Sequence, residues 1–325
     1  MRFVLRRLLL FVVALLAISV VVFAMLRILP GDVAAVMAGV NSPPERVAQL
    51  RAELGLDRPL AVQYLDWCAN LLHGDLGASM LTGRSVSEQV GVRASITFPL
   101  ITLGLLVALV IGIPLGCAAT LARGHRARAA YRLISIVGGA IPALWSGMLL
   151  ILLFGRGVGL VGILPSQGFP AAGWGAPVQA LTSLVLPALS VGIIVGAGLM
   201  RYTRSALGEL AASGYIEMAM SCGMTRTQAV LRVGLRLAMP QMVSVVGLTF
   251  AEMITGVMVI ENLFALPGLG TGLVTDVGNR DLIAVQGELF MLAAFFLLIG
   301  LLVDLAHRAL DPRLKASIGG NEVSA

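Results

Sequence analysis

Charge is scarce in this chain. Only 12% of its 325 residues are Asp, Glu, Lys or Arg, where a soluble domain carries about a quarter. Lysine is almost absent: Lys315 is the only one. A phosphate-binding loop of the form G-x-x-x-x-G-K-[ST] needs a lysine behind a glycine-rich turn. Lys315 follows Arg313-Leu314, with no such turn. Any ATP-driven work must therefore draw its ATPase from another polypeptide. The three histidines, His73, His125 and His307, form no H-E-x-x-H and no cluster. The three cysteines, Cys68, Cys117 and Cys222, are far apart and give neither a disulfide framework nor a metal spacing. Ser146, in Leu144-Trp145-Ser146-Gly147, lacks the preceding glycine of a nucleophile elbow. Little supports a membrane hydrolase or any other enzyme, and no metal is called for. The formal charge of +6 is dispersed between apolar stretches, so it is no nucleic-acid footprint.

What the chain has is apolar length: 58% hydrophobic residues and a mean hydropathy of +0.94. Leu8–Leu26 is a run of 19 apolar or small residues with Ser19 its one hydroxyl. It exceeds the h-region of a signal peptide and reads as a first membrane helix. Further spans fall at about 96–121, 133–154, 184–200, 237–260 and 285–307. The expected fold is an all-α membrane protein with six transmembrane helices. Prolines 99, 114, 142, 187 and 240 lie within these spans, as membrane helices tolerate when neighbours re-satisfy the backbone.

Six spans put both termini on one side. Fifteen of the 23 basic residues share it: Arg2, Arg6, Arg7, Arg123, Arg126, Arg128, Arg132, Arg201, Arg204, Arg226, Arg232, Arg236, Arg308, Arg313 and Lys315. The positive-inside rule places that side, and both termini, in the cytoplasm. The expected division is 1–30 for the N-terminus and first helix, 31–95 for an extracytoplasmic helical segment, 96–309 for the helical core and 310–325 for a cytoplasmic tail. Within 31–95, Ser42-Pro43-Pro44-Glu45 reads as a capping box opening a helix that Gly55 stops. A second helix begins near Pro59, with Leu60, Tyr64, Trp67 and Leu71 as its stripe and His73 as a structural residue at its end. Residues 155–183 and 261–284 form outer loops, the latter with Pro267-Gly268-Leu269-Gly270 as a tight turn.

Residues 201–236 stand apart as a cytoplasmic loop with two helices of its own. The first runs from about Gly214 to Cys222 and puts Tyr215, Met218, Ala219 and Cys222 on one face. Gly223 ends it at positive φ. Thr225 and Gln228 form a capping box that opens the second helix, which runs into the span near Pro240. An interfacial helix on lipid would carry basic residues on its polar face. None lies between Arg204 and Arg226, whereas Glu209 and Glu217 do. The apolar face is better suited to a groove on another protein.

The fifth span carries a polar stripe. Glu252 lies about 18 Å along the helix from Pro240 at ~1.5 Å per residue, near mid-membrane. Gln241, Ser244, Thr249, Thr255 and Asn262 fall on its side, and apolar residues on the other. Such a stripe faces a bundle interior or water rather than lipid. The alternative is a protonated Glu252 hydrogen-bonded to a neighbouring helix.

Glu217-Met218-Ala219, three residues and Gly223, with Pro240 beyond, resembles the EAA loop of ABC importer membrane subunits; Met218 replaces the usual middle alanine. ILPGD at 28–32, LGLDRP at 54–59, Gln63-Tyr64, GDLGAS at 74–79 and ENLFALPGLG at 261–270 extend the match over nearly the whole chain. Together they are similar to the dipeptide/oligopeptide/nickel permease family. That resemblance implies the type I importer permease fold. It implies a coupling helix docked on an ATPase through Tyr215, Glu217, Met218, Ala219, Cys222, Gly223 and Thr225, and the polar stripe of Ser244, Thr249, Glu252, Thr255 and Asn262 is expected to line the translocation path. The implied partners are a homologous second permease, two ATPase subunits or domains holding ATP and Mg, an extracytoplasmic binding protein and the bilayer. The implied location is a bacterial cytoplasmic membrane. The implied cargo is a short peptide, with nickel or another small solute as the alternative. A non-transporting assembly or receptor subunit would have no need of the cytoplasmic helix pair or the polar stripe.

Overall fold

The computed structural model describes residues 2–28, 34, 38, 42–53 and 55–310. The ILPGD motif beyond Ile28, Leu54 of LGLDRP, and the tail after Leu310 with Arg313 and Lys315 lie outside the described residues. Eleven helices run through the described part: α1 (Arg2–Ile28), α2 (Pro44–Glu53), α3 (Leu60–Leu72), α4 (Val86–Leu121), α5 (His125–Ala140), α6 (Ala143–Phe154), α7 (Pro177–Ala211), α8 (Gly214–Ser221), α9 (Arg226–Leu263), α10 (Leu269–Gly278) and α11 (Leu282–Leu310). Extended pairing among the described residues is limited to single bridges, Ala78 with Ser85 and Gly155 with Leu164. Helices α1, α4, α7, α9 and α11 are each long and apolar enough to cross a membrane.

The remaining expected span differs from expectation. In place of one helix over 133–154, α5 and α6 meet at a bend of 102°. Pro142 causes it. Proline has no N–H to donate, and it drives the preceding residue out of the helical region. Ile141 accordingly sits at φ −73°, ψ 121°.

By contact density the chain forms two units, residues 1–97 with 267–298, and 98–266 with 299–325. In the first, Phe23, Tyr64, Trp67 and Phe290 form an aromatic cluster, with Phe23 and Tyr64 edge-on at 5.4 Å between centroids. The Ser19 hydroxyl, the one polar group in α1's apolar run, lies 2.8 Å from the Tyr64 phenol. Gln63 donates to the carbonyls of Leu56 and Arg58 and accepts from Arg27. Gln63-Tyr64 thus ties α3 to α1 and to the turn before it. Gly55, at φ +64°, ends α2 as expected. The Ser42 capping box does not form. Helix α2 starts at Pro44, so Pro43 holds the cap position and the Ser42 hydroxyl donates back to Ala38. The Pro267–Gly270 turn does not form: Gly268 is the N-cap of α10, and the positive φ falls earlier, at Ala265 (+49°).

In the second unit α7 is the central helix, with Leu184, Leu186, Leu199, Met200 and Leu207 buried. Paired small residues let α4 approach it. A Cβ on Gly112 would lie 2.7 Å from the Gly196 carbonyl, and one on Gly192 would lie 2.5 Å from Val107. These are small-xxx-small contacts of the kind that join membrane helices. Helix α9 packs Met242, Phe250, Met253, Val257 and Ile260 inward.

Candidate functional site

Helix α8 is short, and local chemistry fixes its C-terminal end. At its C-terminus Gly223 takes φ +92°. The Gly223 amide donates to the Met220 carbonyl at 2.9 Å and the Met224 amide to the Ala219 carbonyl at 3.2 Å. That pair of bonds is a Schellman turn. Two residues on, the Gln228 amide donates to the Thr225 hydroxyl at 3.3 Å while the Gln228 side chain accepts from the Thr225 amide at 3.1 Å. This capping box opens α9 as the spacing foretold. The next stretch, Ala229–Gly234, is wound as a π-helix, a form often kept at functional positions.

The underside of α8 rests on that π segment. Ile216 is buried with Ala229 and Val230, and Leu121, Ala211, Ala219, Met224 and Val233 close around them. The opposite face is bare. Tyr215 is 57% exposed and Met218 70%, and Cys222 is exposed beside them. Of the four residues expected on one outward face, the structure turns three outward. Ala219 belongs half to the seat, packing like Met224 against the buried cluster beneath the Schellman turn. Met220, absent from the expected set, is 44% exposed. Glu217 sits in the first turn, where a carboxylate suits the helix dipole.

On α9 the polar stripe emerges as expected in period. Gln241, Ser244, Glu252, Thr255 and Asn262 are exposed, and Thr249 is half-buried. The Thr255 hydroxyl donates to the Glu252 carbonyl at 2.9 Å, and the Asn262 amide to the Met258 carbonyl at 2.8 Å. Among the described residues the Glu252 carboxylate has no hydrogen-bond or ion-pair partner. Ser244 is engaged: His307 Nε2 on α11 lies 2.9 Å from its hydroxyl and 2.6 Å from the Pro240 carbonyl. Sequence periodicity could not reveal this link, because the partners are 63 residues apart. Ser146 is buried and donates to the Ser190 carbonyl at 3.3 Å, which occupies its hydroxyl in packing.

One polar centre escaped the sequence altogether. In the first unit Arg93 of α4 donates to Asp276 of α10 at 2.5 Å and also to Glu288 of α11, whose side chain is wholly buried. Gly272 makes room for it: a Cβ there would lie 2.5 Å from the Glu288 carboxylate. Asp281 beside it accepts from the Ser79 hydroxyl and from the amides of Met80 and Ala284. GDLGAS is therefore a turn that delivers Ser79 to Asp281. Its glycines Gly74 and Gly77 sit at φ +76° and +93°.

Several helices long and apolar enough to cross a membrane, with a short helix presenting an exposed apolar face, describe a multi-pass helical membrane protein. Residues 112–316 match the family described as binding-protein-dependent transport system inner membrane component, and residues 1–94 match its N-terminal companion family. The chain belongs to this family; it is a membrane-transport component and not an enzyme. It is 35% identical, over 97% of its own length and 99% of the relative's, to the dipeptide transport system permease protein DppB of Escherichia coli K12. It is 34% identical, over 97% and 99%, to the glutathione transport system permease protein GsiC of Salmonella choleraesuis. Among solved structures, a chain of the MetNI methionine ABC transporter in an inward-facing conformation superposes with a TM-score of 0.50 at 23% identity, covering 66% of this chain and 93% of that one. At that identity the likeness speaks for the fold, which is that of the type I importer permease.

Proposed function

We propose that this chain is the permease subunit through which an ATP-driven importer moves short peptides into the cell. The observation that carries the reading is α8: a helix closed at its C-terminus by a Schellman turn, seated on a π segment, with Tyr215, Met218 and Cys222 bare on its outer face. A helix presented this way fits a groove on a partner. The partner is one of two ATPase subunits or domains, which hold ATP and Mg. Movement of the ATPase then reaches the membrane through the π segment into α9. Glu217, Gly223 and Thr225 set the angle of α8 rather than contacting the ATPase groove directly.

The route for cargo runs along the exposed side of α9, with Glu252, Thr255 and Asn262 as its polar lining, Thr249 at its margin and Ser244 held at one end by His307. A homologous second permease supplies the facing wall. The arginine distribution supports both termini and α8 lying in the cytoplasm and residues 31–95 outside, where an extracytoplasmic binding protein would dock. Short peptides are the cargo because relatives matched end to end are named for dipeptides and glutathione. Nickel or another small solute is the alternative cargo.

The test is reconstitution of the chain with its second permease, ATPases and binding protein in liposomes. ATP-dependent accumulation of a labelled dipeptide, with no accumulation of nickel, is the expected result. Nickel uptake without peptide uptake would overturn the substrate assignment. ATP-independent uptake by the chain alone would overturn the mechanism.

A further inference from the structure

Two clefts adjoin where α4, α5, α7 and α9 end or begin. One, of about 400 Å³, lies between Thr120–Gly124, Arg128, Arg226 and Thr227. The other, of about 440 Å³, lies between His125, Arg128, Arg132 and Arg204, with Leu133 and Ile136 as its apolar wall. Arg128 borders both. Gly124, at φ +87°, makes the turn between them, and Arg128 Nε donates to its carbonyl at 3.3 Å, which holds the guanidinium over the turn. Among the described residues none of Arg123, Arg128, Arg132, Arg204 or Arg226 is paired with a carboxylate. Five unneutralised guanidiniums around a concavity concentrate positive potential and lack an anion.

Helix α5 shows what kind of anion fits. Its first half carries Arg126, Arg128 and Arg132. Its second half leaves Leu133 62% and Ile136 55% exposed, with Ile134 and Val137 beside them. The cations and the apolar ridge follow one another along a single helix, in the order of a phospholipid's phosphate and acyl chain. A free phosphate would leave the ridge unused, and an acidic protein surface would bring charge against it.

We infer that these clefts form a binding site for the phosphate headgroup of an anionic phospholipid, with an acyl chain lying along Leu133, Ile136 and Val137. The site does not depend on which way the chain spans the membrane, because both leaflets of a test bilayer carry the lipid.

The experiment is lipid retention by the full chain in nanodiscs of equal phosphatidylglycerol and phosphatidylcholine, read by mass spectrometry after brief detergent extraction. The wild type should retain phosphatidylglycerol in excess. Arg132→Gln should lower that excess about fivefold, as expected for one arginine near a membrane surface. Arg132→Lys should keep most of it, which separates lost charge from lost fold. Arg236→Gln, an equal change of charge outside the clefts, should leave it unaltered. The inference fails if phosphatidylglycerol is not enriched, or if Arg236→Gln lowers the excess as far as Arg132→Gln. It fails also if millimolar glycerol phosphate displaces the lipid, marking a soluble-anion site. Weakened ATPase association in Arg132→Gln with lipid retention intact would reassign the clefts to a protein contact.

Discussion

The Met224 amide donates to the Ala219 carbonyl across Gly223, and both residues pack against the apolar seat of Ile216, Ala229 and Val230 beneath α8. One turn therefore both ends the helix and anchors it. Gly223 is at φ +92° with nothing within 4 Å of where a Cβ would be, so a substitution there meets backbone strain and no clash. Gly223→Val should cost about 1–2 kcal/mol and tilt α8. Gly223→Asn, which visits this region more readily, should cost less. Membrane insertion should be normal for both, and uptake should fall much further for Val than for Asn. Equal uptake in the two variants would separate transport from the angle of α8.

This end of the site was legible in the sequence because its chemistry is local. Gly223 and the Thr225–Gln228 box act within six residues, and the α9 stripe follows from helical period alone. What stayed hidden is what spans distance. Arg93 meets Asp276 and Glu288 across 183 and 195 residues, and no spacing rule reaches that far. Local signals also misled where two competed. Ser42 has the capping spacing, but Pro44 starts the helix one residue too late for it. Pro267-Gly268 looks like a turn and is instead the cap of α10. Pro142 lies inside an apolar run that composition reads as one span and backbone sterics break in two.

Arg93 serves two buried carboxylates, and removing one member of a buried pair typically costs about 3–5 kcal/mol because the partner charge is stranded. Arg93→Gln strands both Asp276 and Glu288. Its thermal midpoint in detergent should drop well below that of Glu288→Gln, which leaves the Arg93–Asp276 pair intact. Similar midpoints for the two variants would mean that the cluster contributes little to the first unit.

Helices α4 and α7 touch through glycine. Gly192→Leu would drive a side chain into Val107 and the Gly104 carbonyl, the nearest at 2.5 Å from the Cβ alone. Overpacking of this kind costs roughly 1–3 kcal/mol. The expected outcome is lower yield and faster proteolysis of the second unit. Gly198→Leu on the same helix, where nothing lies within 4 Å, should be tolerated.

Single cysteines report the faces of α9. In the assembled transporter, cysteines at Thr249, Glu252 and Thr255 should react with a small polar thiol reagent, and more in one nucleotide state than in the other. Cysteine at the buried Met253 should stay unreactive. At Ser244 the reaction should be slower than at Thr255 unless His307 is also replaced, since the His307 ring lies 2.9 Å from the Ser244 hydroxyl and covers it. Equal labelling of both faces, or none on either, would remove α9 from the cargo route.

Sidedness has its own check. A reporter fused after Arg226 should read as cytoplasmic and one near Trp67 as external. The reverse pattern would overturn the charge argument while leaving the fold untouched.

The docking of α8 can be measured on the protein's own thiol. Cys222 is exposed, Cys117 is buried and Cys68 is half-buried, so a Cys68→Ser chain reports one accessible thiol. Its maleimide labelling should be fast in the isolated permease and at least tenfold slower once the ATPase subunits are bound. It should return to the fast rate when Tyr215 and Met218 are both replaced by Asp. Labelling at the same rate with and without the ATPases would contradict the account.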